Sequence, residues 1–527
     1  MAITTIRKSL LATVAVLMTT SAFAQTVTLK TPDGALSLTG ELIEFDGQTY
    51  SLETMVGSIE IDASSVVCEG DSCPATEELR TEFTVATSEA VGTTLVSNII
   101  EEYAFLNNFI AEQTFDSNAG ADVASMELLS ESDESMATVS VEGSTSTEVF
   151  QRLASGEAAI AVTARPVNAA EIRSFEAAGL ASPADPAQER VFALDALAPL
   201  VSPQNRTRSV SIEDMARIAA GRVRNWSELG GDDVPIRMVL PAEGTASFEV
   251  FNTLVMAPSR LRVSPSIERV ASDLDVAEEV TRDATAIGVA SISARRNAKI
   301  VPIRRVCGPL AKPTDFLVKA EEYPLTRRLY MYTSGATIAA RTSDLINFAT
   351  SDAAQDAIQR AGFVDQSISP SSIDDQGIRM AAAMTSADNP TSLAQTRDLA
   401  VELVTADRLS TAFRFNSGSA GLDTKALGDV SRMASYLTDD ATERREILVL
   451  GFTDSIGRPD LNILLGQQRA EQVRDAILEA SAGRIPADRF TVSSYGPLAP
   501  VGCNETAEGR AINRRVEIWI RDRVFQQ

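Results

Sequence analysis

The sequence predicts a multidomain α/β chain: a small N-terminal β unit, a long α/β block and a shorter C-terminal α/β block. Three observations carry this. Residues 26–75 alternate apolar and polar positions between Asp-Gly turn signals, the period-two signature of strands. From about 80 to 365, and again from about 406, short apolar runs alternate with helical stretches. A Ser-, Asp-, Ala- and Thr-rich stretch separates the two blocks. At 527 residues the chain is too long for one core.

Residues 1–24 read as a secretory signal peptide. Arg7 and Lys8 form a positive start, Leu10 to Met18 a short apolar run, and Ser21-Ala22-Phe23-Ala24 a small-residue cleavage site before Gln25. The run is shorter than the roughly 20 residues a membrane span needs. Export permits disulfides. Cys68 and Cys73 flank a turn-forming loop and suit a local bridge that closes a small β domain, 25–78, whereas Cys307 and Cys503 can bridge or stay free.

Within the domain expected at 79–365, Phe83–Ala86, Ala159–Val162, Ile236–Leu240 and Ile287–Ala290 read as strands. Residues 366–405 read as a linker with some helix. The block from 406 to 527 holds strands at Leu409–Phe415, Ile447–Phe452, Phe490–Ser494 and Val516–Ile520, with helices at Ala426–Leu437 and Leu461–Leu478.

The chain has no histidine and a formal net charge of −25. The first fact removes Ser-His-Asp and Cys-His catalysis and His-based metal sites. The second argues against nucleic acid as a partner. From Glu443 onward acidic and basic residues balance and every basic residue is Arg, so the negative charge lies upstream. Acidic pairs such as Asp374-Asp375 and Asp439-Asp440 sit in expected surface turns. With no nucleophile elbow, phosphate loop or zinc motif, the reading is non-enzymatic, with no cofactor and no metal.

In the C-terminal block, Gly451-Phe452-Thr453-Asp454 ends a strand. Asn462 and Arg469, seven residues apart, fall on one helix face. A carboxylate and a guanidinium sharing a cleft suit a zwitterion. These segments, with Glu508–Glu517, carry the patterns G-x-T-D, N-x-x-L-x-x-x-R-A-x-x-V and E-G-R-A-x-N-R-R-V-E. They closely resemble the OmpA-like peptidoglycan-binding domain, an α/β sandwich, over roughly 120 residues. The resemblance implies that Asp454 and Arg469 hold the diaminopimelate of a cell-wall stem peptide, and that Thr453, Asn462 and Arg515 shape the site. Phe452 and Gly466 stand where His and Ser are common in that family.

In the central block, hydroxyl-bearing segments open helices: Thr87–Gly92, Gly143–Thr147, Thr163–Pro166 and Gly244–Ser247. Free N–H groups and hydroxyls at helix starts bind anions, though Ser and Thr there also serve simply as caps. Ser209–Gly231, Glu321–Thr333 and Leu345–Val364 resemble segments of periplasmic solute-binding proteins of the phosphate-receptor (PstS-like) type. That implies a two-lobed periplasmic-binding-protein fold (type II), with crossings near Asp195–Ala198 and Ala286–Ser291. The implied ligand is a small, phosphate-like oxyanion held by Ser88, Ser144, Thr145, Arg165, Thr245 and Ser247. The sequence departs from the family where Leu240–Thr245 lacks an Arg and Ala90 replaces a Thr. Arg165 suits an anion or a salt bridge between lobes equally well.

The combined reading is an exported protein, periplasmic and associated with the cell wall or outer membrane. It binds a small oxyanion and anchors to peptidoglycan. The alternative is a ligand-free scaffold that binds peptidoglycan and contacts other envelope proteins.

Overall fold

The computed structural model describes residues 26–31, 37–45, 49–54, 57–62, 65–70, 73, 81–115, 123–386 and 389–523. The signal peptide and the Asp33-Gly34 and Asp46-Gly47 turn signals lie outside them. The chain divides into two compact units, residues 1–80 and 81–527.

In the first unit, β1 (Thr26–Lys30), β2 (Ser37–Phe45), β3 (Thr49–Thr54), β4 (Gly57–Asp62) and β5 (Val67–Glu69) form an antiparallel sheet in the order β4-β3-β2-β1-β5. Alternation puts Val27, Leu29, Tyr50 and Leu52 on one buried face. Cys68 and Cys73 are joined.

Among the described residues, the second unit begins with eleven strands: β6 (Thr81–Ser88), β7 (Ile110–Phe115), β8 (Val123–Leu129), β9 (Ser135–Ser144), β10 (Ile160–Thr163), β11 (Glu189–Val201), β12 (Arg237–Pro241), β13 (Glu268–Val270), β14 (Ala286–Ser291), β15 (Lys299–Ile300) and β16 (Thr326–Tyr332). Their order is β13-β12-β14-β11-β16-β10-β6-β9-β8-β7, with β15 also on β11. β11 is the bridge between lobes. Its first half pairs with β16, from Glu189 opposite Tyr332 to Ala196 opposite Thr326, and its second half pairs with β14. The return crossing is β16, not Ala286–Ser291 as the sequence suggested. β14 stays inside the second lobe between β11 and β12, because its six residues are all buried there. Central strands β6 and β10 run parallel; all four residues of β10 are buried, as are the last four of β6, as in strands covered on both faces.

The last sheet contains β17 (Pro370–Ser371), β18 (Ala406–Arg414), β19 (Arg445–Phe452), β20 (Phe490–Gly496) and β21 (Arg515–Asp522), in the order β17-β18-β21-β19-β20. Every residue from Ile447 to Phe452 is buried, so both faces of β19 need cover. Helices Thr424–Leu437 and Pro459–Ala480 cover one face through Val430, Met433, Ala470 and Val473. The stretch read as a linker supplies much of the other cover. Its helices Gly377–Thr385 and Pro390–Glu402 pack Met380, Ala383 and Leu399, with Leu403 just after the second helix, against Leu448, Leu450 and Trp519. A second disulfide, Cys307–Cys503, ties this module to the two-lobed one across 196 residues of sequence.

Candidate functional site

The loop after β19 is built by close approach. A Cβ on Gly451 would lie 2.0 Å from the Gly466 carbonyl oxygen, so the helix Pro459–Ala480 sits directly on the strand end. Thr453 donates to the Asp454 carbonyl at 3.0 Å, and its own N–H donates to Gly496 O at 2.8 Å. Asn462 Nδ2 donates to the carbonyls of Asp454 (3.3 Å) and Ile456 (3.1 Å). These bonds fix the turn that presents Asp454.

Asp454 does not bond Arg469. Its Oδ1 accepts the Ile456 N–H at 3.0 Å and its Oδ2 accepts Arg514 Nη1 at 2.9 Å. Arg514 also donates to Phe415 O at 3.0 Å. Arg469 is fully buried. It donates to the carbonyls of Ser419 (2.9 Å) and Asn416 (3.0 Å), lies over the Phe415 ring at 5.1 Å, and keeps one nitrogen, Nη1, without a partner among the described residues. Burial first, then the neighbouring Arg514 charge, push this guanidinium down to about 10 against the partial support of Asp454. Asp454 thus pairs directly with Arg514 and acts on Arg469 only through space, while two backbone carbonyls bond Arg469 where a carboxylate could.

Arg515 lies elsewhere. Its Nε donates to Glu517 at 2.5 Å, its Nη2 to Ala499 O at 3.0 Å, and its guanidinium lies 4.0 Å from the Phe452 ring centroid. Consecutive residues entering a strand point to opposite faces, so Arg514 takes the position at the site that the sequence reading gave to Arg515. Sequence parity was the missed signal: Arg514 is the last residue before β21.

In the two-lobed module, five of the six expected anion ligands are occupied by the chain itself. Ser88 Oγ accepts the Ala164 N–H at 3.3 Å. Thr145 caps helix Ser146–Ser155, and the Glu148 carboxylate accepts from both its N–H (3.0 Å) and its hydroxyl (2.9 Å). Those bonds hold Glu148 below the usual carboxylate range. Arg165 binds the Glu171 carboxylate at 2.6 and 2.9 Å and Glu249 of the other lobe at 2.6 Å. It is therefore an inter-lobe bridge.

Thr245 caps helix Ala246–Phe251, donating to Ala242 O at 2.7 Å and accepting from the Phe248 N–H. Ser247 donates to Asp273 at 2.6 Å and accepts from Arg327 at 2.9 Å; Arg327 in turn binds Asp195. Burial raises Asp273, against the Arg327 charge. Ser144 Oγ, alone of the six, is buried without a partner. Gly244 also closes on Thr145: a Cβ there would lie 3.6 Å from the Thr145 methyl.

The geometry therefore defines a two-lobed binding-protein fold joined to a compact module with a half-neutralised guanidinium pair. Residues 114–353 match the PBP superfamily domain and residues 414–514 match the OmpA family. The chain thus carries a PBP-like domain followed by an OmpA-like domain. The probable lipoprotein YiaD of Escherichia coli (strain K12) is 38% identical over 106 residues, 20% of this chain and 46% of that protein. The phosphate-binding protein PstS of Borreliella burgdorferi is 24% identical over 185 residues, 34% of this chain and 66% of that protein. The peptidoglycan-binding protein ArfA of Mycobacterium tuberculosis (strain H37Rv) is 38% identical over 74 residues, 14% of this chain and 22% of that protein. The chain thus spans about half to two thirds of the length of the first two. Among the described residues, no helix is long and apolar enough to cross a membrane.

Proposed function

We propose that this is a non-enzymatic, exported envelope protein held to peptidoglycan by residues 406–527, with Arg469 taking the carboxylate and Asp454 the ammonium of a stem-peptide diaminopimelate. The buried Arg469, with an unpartnered nitrogen beside a second guanidinium, carries this reading. An incoming carboxylate replaces the carbonyls of Asn416 and Ser419, completes the hydrogen bonding and neutralises the surplus charge. Thr453 and Asn462 keep the Asp454 turn in place, and Arg514 positions its carboxylate. Pull-down with purified peptidoglycan tests it: Arg469→Ala and Asp454→Ala should each abolish sedimentation, and unchanged pull-down in both sinks the assignment.

For the module 79–365 a scaffold is favoured over an oxyanion receptor, because Glu148, Glu249 and Asp273 already bond Thr145, Arg165 and Ser247. A buried anion placed beside them meets like charge and few free donors. In this reading the module sits in the periplasm at the wall or outer membrane and presents surface to other envelope proteins. Calorimetry with phosphate and sulfate distinguishes the two. No heat and no thermal shift fit the scaffold, and tight binding of either ion restores the receptor.

A further inference from the structure

At the seam between the two-lobed module and the C-terminal module lies a cavity of about 560 Å³, a size usual for small-molecule sites, which favour domain junctions. One wall is apolar, with Leu310, Phe316, Leu317 and Ile378; Leu310 and Ile378 are exposed. The other carries Arg305, Lys312 and Arg379, with Glu322 among them.

Behind that wall the charge does not balance. Five guanidiniums, those of Arg305, Arg379, Arg408, Arg414 and Arg515, act on the Glu322 carboxylate. Glu517 is the other carboxylate of the cluster, and it already serves Arg379, Arg408 and Arg515. Glu321, which also acts on Arg414, is bound at 2.6 and 3.0 Å by Arg328. Arg305 and Arg414 are held by backbone carbonyls: Pro309 and Val501 for the first, Ala320 and Ile512 for the second. Among the described residues, Arg379 Nε, Arg408 Nε and Arg414 Nε find no partner. Burial pushes Arg305 and Arg414 down and takes Arg379 to about 10. Asp375 and Glu505 stand at the exposed rim, where water screens them. In a chain with a net charge of −25, a desolvated surplus of positive charge beside an apolar wall is a costly arrangement unless an anion completes it.

We propose that this seam binds an amphiphilic carboxylate, an acidic headgroup on a short acyl chain. The headgroup meets Arg379, Arg305 and Lys312, and the chain lies along Phe316, Leu317 and Ile378. The site is independent of the wall-binding loop and of the inter-lobe cleft. It exists only where the two modules meet, so ligand binding also strengthens their association.

Calorimetry on the full-length protein with its disulfides intact tests it, using decanoate below its micelle concentration, decanol and acetate. Decanoate should bind one to one, with decanol and acetate at least tenfold weaker. Lys312→Glu, on an exposed side chain, and Arg379→Gln should each weaken decanoate at least tenfold, with circular dichroism verifying the fold of each variant. Decanol binding as tightly as decanoate overturns the proposal. So does the absence of decanoate binding by folded protein, or undiminished binding in the folded Lys312→Glu variant.

Discussion

Replacing Arg469 by Met separates ligand binding from stability. In the folded chain its guanidinium sits at about 10, well below its ordinary value. At about 1.4 kcal/mol per pH unit, the charged form carries a penalty of about 3 kcal/mol. Against this, Arg469 donates to Ser419 O and Asn416 O, and such charge-assisted bonds contribute about 1.5–3 kcal/mol each. The two bonds together contribute about 3–6 kcal/mol, so the gain exceeds the penalty, by about 1.5 kcal/mol at the middle of that range. Arg469→Met keeps the apolar stem and removes both, so stability should fall by about 1–2 kcal/mol, a Tm shift of about 2–8 °C. Asp454→Ala behaves differently, because it strips the carboxylate from Arg514 in a mostly buried pair. Breaking such a pair costs about 3–5 kcal/mol. Differential scanning fluorimetry and wall sedimentation on both variants read the two effects. Both should lose sedimentation, and only Asp454→Ala should lose substantial stability. An Arg469→Met variant that melts lower than Asp454→Ala, or that still pellets with the wall, refutes the reasoning.

Other perturbations follow from the same contacts. Gly451→Ala places a methyl 2.0 Å from the Gly466 carbonyl and should cost about 3 kcal/mol in urea unfolding, as overpacking does; a change below 1 kcal/mol contradicts that close approach. Glu322 is held at about 2, with Arg408 and Arg379 outweighing its burial. A depressed carboxylate contributes stability above its unfolded value near 4.3, lost as pH falls toward 2, so Tm should drop between about pH 4.5 and 2 and drop less steeply in Glu322→Gln. Cys307→Ser with Cys503→Ser opens a loop spanning 196 residues and should lower stability by about 4–5 kcal/mol on chain entropy; calorimetry showing an unchanged transition contradicts a constraining role. Arg514→Ala should weaken wall sedimentation, whereas Arg515→Met should chiefly destabilise the sheet by uncovering Glu517.

The strands of both α/β blocks were legible because buried strands leave short apolar runs flanked by hydroxyl and Gly residues; β10, β14 and β19 are examples. The cover on the second face of the last sheet was not. Helices Gly377–Thr385 and Pro390–Glu402 bury Ala, Met and Leu at few positions and expose Ile378, Leu393 and Val401, so they lack a clean apolar stripe. The Asp454 turn was legible through its motif, but the choice between Arg514 and Arg515 depends on strand parity at the helix–strand junction. In the cleft, Thr145-Ser146-Thr147-Glu148 is a capping-box spelling. That spelling was the signal that Thr145 serves its own helix. The pairing of Arg165 with Glu249, 84 residues away, leaves no local trace. The pairing of Cys307 with Cys503 depends on tertiary placement in the same way.

The central claim is that the wall is gripped through the Arg469 guanidinium. Titration of the full-length protein with meso-diaminopimelate by calorimetry tests it most directly. One site on the wild-type protein, absent in Arg469→Met at unchanged fold, is the result this account predicts. Equal binding by both proteins, or wall sedimentation that excess free diaminopimelate leaves undiminished, contradicts it.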